Sequence, residues 1–174
     1  MRTAKLNLWT RILFNFLTVL GLLFSSACIT VRLGKDADGK HAEGVHYVEP
    51  ASPFQKDPRD EVDAAWKNPK NGNVISFLSD CSDKSDPPLD QVVQGTLSGL
   101  NNLHMDSQES PTVQGRAARR ALASGTVDGV PSMIDLLVFK RNMCIYILSY
   151  VGVKKSFPEN RAQFEQFLSG FVAP

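Results

Sequence analysis

Cys144-Ile145-Tyr146-Ile147-Leu148-Ser149-Tyr150-Val151 is apolar or aromatic at every position except Ser149. A strand with one solvated face alternates apolar and polar residues, so an unbroken run rich in β-branched and aromatic side chains predicts a central strand covered on both faces. Upstream, Lys140-Arg141-Asn142 separates this run from Ser132–Lys140, which also has strand character, and the short gap predicts a hairpin. Arg116–Ser124 supplies a third strand, with Gly125 and Asp128-Gly129 punctuating the gap that follows it. A fourth, Val74-Ile75-Ser76-Phe77-Leu78, follows the turn cluster Asn68-Pro69-Lys70-Asn71-Gly72.

Two stretches have helical periodicity instead. Leu89, Val92, Val93, Leu97, Leu100 and Leu103 fall on one face of a helix over about 88–103, with Pro88 at its first position and Asp90 near the positive end of its dipole. Phe157, Phe164, Phe167, Leu168 and Phe171 form an aromatic stripe on a C-terminal helix starting near Pro158. The segment Met105–Pro111 between helix and strands reads as a loop. The element order is β-α-β-β-β-α, and each element buries its apolar face only if the two helices pack on one four-stranded, mostly antiparallel sheet, an α+β sandwich.

The domain resembles the PsbP/Mog1-like superfamily, which includes several bacterial envelope lipoproteins. The likeness spans roughly residues 66–172 of a domain read as 66–174. It rests on Trp66-Lys-Asn-Pro69 opening the first strand, Gly125-Thr-Val-Asp-Gly129 turning between middle strands, Tyr146-x-Leu148-Ser-Tyr150, and Phe164-x-x-Phe167-Leu-x-x-Phe171. These are packing and turn signals, so the resemblance implies a fold and names neither substrate nor partner.

With 174 residues, 43% hydrophobic and 21% charged, the chain has the composition of one folded domain. Its 19 Lys+Arg against 18 Asp+Glu leave no basic surplus of the kind that marks a nucleic-acid binder.

The N-terminus carries an address. Arg2, Lys5 and Arg11 form a basic region and Ile12–Phe24 an apolar core; small residues Ser25-Ser26-Ala27 then precede Cys28, the layout of a secretory signal peptide over 1–27. The thirteen-position core is shorter than the roughly 20 residues a transmembrane helix needs. Small residues before a cysteine resemble a bacterial lipobox, which implies cleavage before Cys28 and its acylation, and thus a lipid anchor in the membrane. Ser25 stands where a lipobox usually has Leu, and Ser25-x-Ala27 also fits ordinary secretion. By the same resemblance, Ile29 after the cysteine, where Asp would favour the inner membrane, points to the outer membrane. Cleavage leaves 16 basic and 18 acidic residues, so acyl chains and not a polybasic patch would hold the protein there.

Residues 28–65 read as the lipidated cysteine and a solvated tether, because 29–62 show no sustained periodicity and are dense in Gly, Asp, Lys and Pro. Asp36-x-Asp38-Gly39 departs from a calcium loop, where glycine is sixth and Glu twelfth. His41 and His46 lack a cysteine at ligand spacing, so this stretch offers no metal site.

If Cys28 is acylated, Cys81 and Cys144 remain as an even pair in a compartment that permits disulfides. Two readings stand: a bridge closing 63 residues of chain, or a free thiol at Cys144 buried in its strand. Catalytic templates find little material. There is no Gly-x-Ser-x-Gly or His-Glu-x-x-His, and no Gly-x-x-x-x-Gly-Lys followed by the Ser or Thr of a phosphate loop, since His41 follows Gly34-x-x-x-x-Gly39-Lys40; no cofactor is called for. Asp80, Asp83, Asp86 and Asp90 could gather a cation, but acids beginning a helix complement its dipole and need no metal. Arg116, Arg119, Arg120, Lys140 and Arg141 form the one basic concentration. Strand alternation puts Arg116 and Arg120 on one face and Arg119 on the other. They read as a solvated sheet surface or as a docking surface for an acidic partner.

Two functions follow as expectations. One is a lipid-anchored, non-catalytic interaction or structural module of the cell envelope with a protein partner. The other is a small-ligand carrier or an enzyme with an unfamiliar site between helices and sheet.

Overall fold

Ala64 to Lys67, although weak in strand-formers, pairs with the β-branched run that follows the Asn68–Gly72 turn, and the sheet is built outward from such pairings. The computed structural model describes residues 40–82 and 86–174. Cys28, the signal-like segment and residues 29–39 of the tether lie outside the described residues. The strands are β1 (Gln55–Lys56), β2 (Ala64–Lys67), β3 (Val74–Asp80), β4 (Asn101–Glu109), β5 (Thr112–Val113), β6 (Arg116–Val127), β7 (Val130–Arg141) and β8 (Cys144–Val153). The helices are α1 (Leu89–Leu97) and α2 (Arg161–Gly170), the latter preceded by a 3-10 turn at Phe157–Asn160.

The fold is α+β with an antiparallel sheet and two helices, and the sheet has eight strands in place of the expected four. Their order is β1-β2-β3-β8-β7-β6-β4, with β5 pairing β6. The four additional strands lack a clean apolar alternation. β1, β2 and β5 are only two to four residues long. β4 is almost wholly exposed, so no buried face imposes a period on its sequence. Its residues are those assigned above to the end of a longer helix and to a loop. The helix stops at Leu97, and Leu103, expected on its buried face, is an exposed residue of β4. Two register shifts bend this edge strand, one between Asn101 and His104, where Asn102 has φ 52°, and one between Met105 and Ser107. Trp66-Lys67 closes β2 where the resemblance had it opening the first strand, and Gly125 lies within β6. A Cβ at Gly125 would sit 2.7 Å from the Asn101 carbonyl oxygen, so close approach of β4 is what requires glycine there.

β8 lies between β3 and β7, as its unbroken apolar run demands. Tyr146, Leu148 and Tyr150 point to one layer and Ile147 to the other. The first layer also receives Phe164, Phe167 and Phe171 from α2 and the sheet's Trp66, Ile75, Phe77, Leu137 and Phe139. The opposite layer receives Val92, Val93 and Leu97 from α1 against Ala121, Ala123, Leu136 and Val138. Each helix therefore covers its own face of the sheet.

The tether reading is corrected for residues 40–62. Tyr47 packs against Trp66, Phe77 and Phe167 with ring centroids 5.1–6.1 Å apart, and Phe54 is buried. His46 forms a bridge with Val172, and β1 pairs with β2. Polar, Pro-rich sequence hid these contacts because each comes from an isolated aromatic or backbone group. Among the described residues, no helix is long and apolar enough to cross a membrane.

Candidate functional site

Of the predicted site residues, Cys81, Cys144, Arg116, Lys140 and Arg141 lie at one end of the sheet, where β3 ends and β7 turns into β8, whereas Arg120 sits further along β6. Cys81 follows β3 and Cys144 opens β8; their neighbours Asp80 and Ile145 are in register, so the two cysteines face each other across adjacent antiparallel strands. They form a disulfide with a sequence separation of 63. The bridge, and not the free-thiol reading, describes the pair.

Residue 40 enters the domain beside this bridge, because the Cys81 amide donates to the Lys40 carbonyl at 2.8 Å. The next residues are held by a polar clamp with no motif signature. His41 Nδ1 lies 2.7 Å from Asp63 Oδ1 and 3.0 Å from the Ser79 carbonyl oxygen. Ser79 Oγ donates to Asp63 Oδ2 at 2.6 Å and accepts from the Ala42 amide at 2.8 Å. Ser, His and Asp are thus together without being a nucleophile system. Asp63 stands between the other two, and the serine hydroxyl donates to carboxylate instead of imidazole, which would have to take its proton. The arrangement pins segment 40–42 to the end of β3. Burial pushes the Tyr47 phenol above its ordinary value, with nearby Glu49 and Asp63 adding to the shift.

The five predicted basic residues separate as alternation requires, and four of them are engaged inside the protein. Arg119 pairs with Asp90 at the start of α1 at 2.7 Å. On the other face, Arg120 donates in two-pronged fashion to Asp135 at 2.9 Å per bond and also pairs with Glu165 of α2. Asp135 is completely buried, and Arg161 lies 3.2 Å from its Oδ2, which Arg120 also bonds. The bond to Asp135, with a smaller contribution from Glu165, raises the Arg120 pKa against the opposing effect of burial. Lys140 bonds Asp86 and the Pro87 carbonyl. Arg141 donates to backbone oxygens of Pro174 and Gln114. Arg116 is exposed and makes no ion pair among the described residues. Beside the disulfide, Asp80, Asp86, Arg116, Lys140, Arg141 and Met143 line a half-open cleft of about 570 Å³ whose walls carry both signs of charge.

At the opposite side of α2, a buried amide cluster locks the Asn68–Gly72 turn to the 3-10 turn. Asn160 Oδ1 accepts from Asn68, Asn71 and Asn73 side-chain amides at 2.9–3.1 Å. Asn73 also donates to the Tyr150 hydroxyl, which donates to the Phe157 carbonyl at 2.7 Å. Burial pushes the Tyr150 pKa up to about 12, although a backbone hydrogen bond from Asn160 pulls the other way. Among the described residues, no three His, Cys, Asp or Glu side chains group as they would around a metal ion.

No protein-family profile matches the sequence, and no characterised protein matches it. Solved structures do match its fold. Pseudomonas aeruginosa PA94, a protein of unknown function, aligns with a TM-score of 0.51 at 16% identity over 80% of this chain and 88% of its own. PsbP (CyanoP) from Synechocystis sp. PCC 6803 aligns with a TM-score of 0.50 at 11% identity over 75% and 87%. LpqN from Mycobacterium tuberculosis, involved in cell envelope biogenesis, aligns with a TM-score of 0.55 at 12% identity over 79% and 86%. At these identities the likeness is one of fold, and the fold is PsbP-like.

Proposed function

We propose that this chain is a lipid-anchored protein of the cell envelope, held at the outer membrane through acylated Cys28, whose PsbP-like domain binds another envelope component without catalysing a reaction. The observation that carries the reading is the Cys81–Cys144 bridge. It accounts for two of the three cysteines, leaves Cys28 as the odd one directly after a signal-like segment, and is chemistry of an oxidising compartment. The envelope role of LpqN, which shares the fold, supports the same compartment.

The basic cluster is a poor partner surface, since among the described residues four of its five members are committed to internal pairs, which leaves Arg116 for an acidic partner. Better suited is the outer edge of β4, which has no strand neighbour among the described residues, together with exposed Val127, Val130 and Val153 around the β6–β7 turn. The test is intact mass of the membrane form, expected to match acylated Cys28 as the first residue, and crosslinking in cells comparing wild type with Cys28→Ala. An unmodified mass, or identical crosslinked products from both, would refute the reading.

One observation favours a second reading, a small-ligand carrier. The Tyr146 hydroxyl and Trp66 Nε1 are buried in the aromatic layer with no hydrogen-bond partner, whereas buried polar groups are ordinarily paired. Native mass spectrometry of purified protein would reveal a retained ligand by its added mass.

A further inference from the structure

The β7–β8 turn carries an anomaly. Asn142 and Met143 both have positive φ, 49° and 64°, the conformation that two-residue hairpins meet with Asn-Gly. A bulky side chain there is uncommon and costs backbone energy. Met143 is also 79% exposed, the highest value among the exposed large hydrophobics of the described residues. It is therefore unfavourable twice over, in backbone conformation and in solvation. The other two-residue turns, Gln114-Gly115 between β5 and β6 and Asp128-Gly129 between β6 and β7, have the expected glycine, at φ 76° and 80°.

The anomalous turn is also the end at which the chain enters the domain. Lys40 bonds Cys81, Cys81 is bridged to Cys144, and Cys144 follows Met143. The twelve peptide units from Cys28 to Lys40 reach at most about 40 Å whatever their conformation. β7 separates the two turns by roughly 36 Å. For the Asp128-Gly129 turn to touch the membrane that holds Cys28, those units would have to run almost fully extended along the whole domain. The Met143 end needs no such extension. Around it Arg116 makes no ion pair among the described residues and Lys40 is exposed, as is the acid Asp80, while Lys140 and Asp86 pair with each other.

Resting on the reading of Cys28 as the anchor, we propose that the Asn142-Met143 end of the sheet lies against the lipid surface, with Met143 in the interface and Arg116 at headgroup level. This orients the domain so that the β6–β7 turn and its exposed valines face away from the membrane. The acyl chains anchor, and the turn sets the pose.

The test uses the full lipoprotein reconstituted into phosphatidylcholine–phosphatidylglycerol vesicles and the unmodified methionine as reporter. Met143 oxidation by peroxide, read by peptide mass, is expected to be several-fold slower than in the Cys28→Ala variant, which keeps Ser25-x-Ala27 for ordinary cleavage and stays in solution. A Met143→Trp variant should be quenched by brominated lipid beyond wild type, and Asp128→Trp should not. Protein that floats with vesicles yet oxidises Met143 at the soluble rate, or is quenched equally at both turns, overturns the orientation and leaves the anchor standing. Protein that lacks acyl mass and does not float overturns both. Met143→Gly, which relieves the turn, should fold at least as stably as wild type and still lose the fixed pose, seen as equal quenching of tryptophans placed at Asp128 in the β6–β7 turn and at Asn142.

Discussion

Reducing the Cys81–Cys144 bridge should destabilise the domain mainly by releasing its unfolded chain. The bridge closes a loop with a sequence separation of 63. In the chain-entropy model such a loop is worth about 4 kcal/mol at 25 °C. Little should be lost in the folded state, because β3 and β8 are paired from Val74↔Val151 to Asp80↔Ile145 and keep the two cysteines opposed without the bond. Spread over the roughly 135 residues from Lys40 to Pro174, with about 2.1 cal/mol/K of unfolding entropy per residue, 4 kcal/mol corresponds to a melting point lowered by about 14 °C. The measurement is urea unfolding of one preparation with and without reductant. The midpoint should fall and the slope m should rise, since the reduced chain exposes more surface on unfolding. Coincident curves with the bridge verified by mass would refute the entropic reasoning. Alkylation of both cysteines in unfolded, unreduced protein would refute the bridge itself.

Asp135→Ala should cost about 3–5 kcal/mol in the same assay, because it strips Arg120 and Arg161 of the buried carboxylate they share; an Asp135→Ala, Arg120→Met double variant should recover part of that loss. Gly152→Ala would place a Cβ 2.1 Å from Asn73 Oδ1 and break the amide cluster, for about 1–3 kcal/mol. Gly99→Ala, which meets nothing within 4 Å, should lie within about 0.5 kcal/mol of wild type. Tyr150 has a folded pKa near 12 against an ordinary 10, so its contribution is fully present below pH 10 and is lost as pH rises towards 12. Wild type should therefore lose stability between those values more steeply than Tyr150→Phe; parallel pH profiles would refute this.

How much was legible before folding followed from how local each signal was. The 144–151 run announced a central strand because continuous apolarity needs cover on two faces, whatever the rest of the chain does. The Phe164, Phe167, Phe171 stripe and the Val92, Val93, Leu97 face were likewise readable, since a helix repeats within its own sequence. Alternation separated Arg119 from Arg120 correctly. β4 was not legible, because an exposed edge strand has no buried face to write a period into its residues. Leu103 then extended the helical pattern of Leu97 and Leu100 by coincidence.

What only the tertiary structure decided are pairings between distant segments. His41 with Asp63 and Ser79, Asn160 with Asn68 and Asn73, and Arg120 with Asp135 join residues 15 to 92 positions apart. Each side chain alone is an ordinary polar residue, and only burial beside a partner gives it a role. Composition and order determined the class of fold, the even cysteine pair and the expected address at Cys28. The commitment of the basic cluster, the docking of residues 40–62 and the exposure of Met143 at the chain's point of entry needed the folded sheet. Pairing energies depend on distance in space, and a sequence orders its residues along only one dimension.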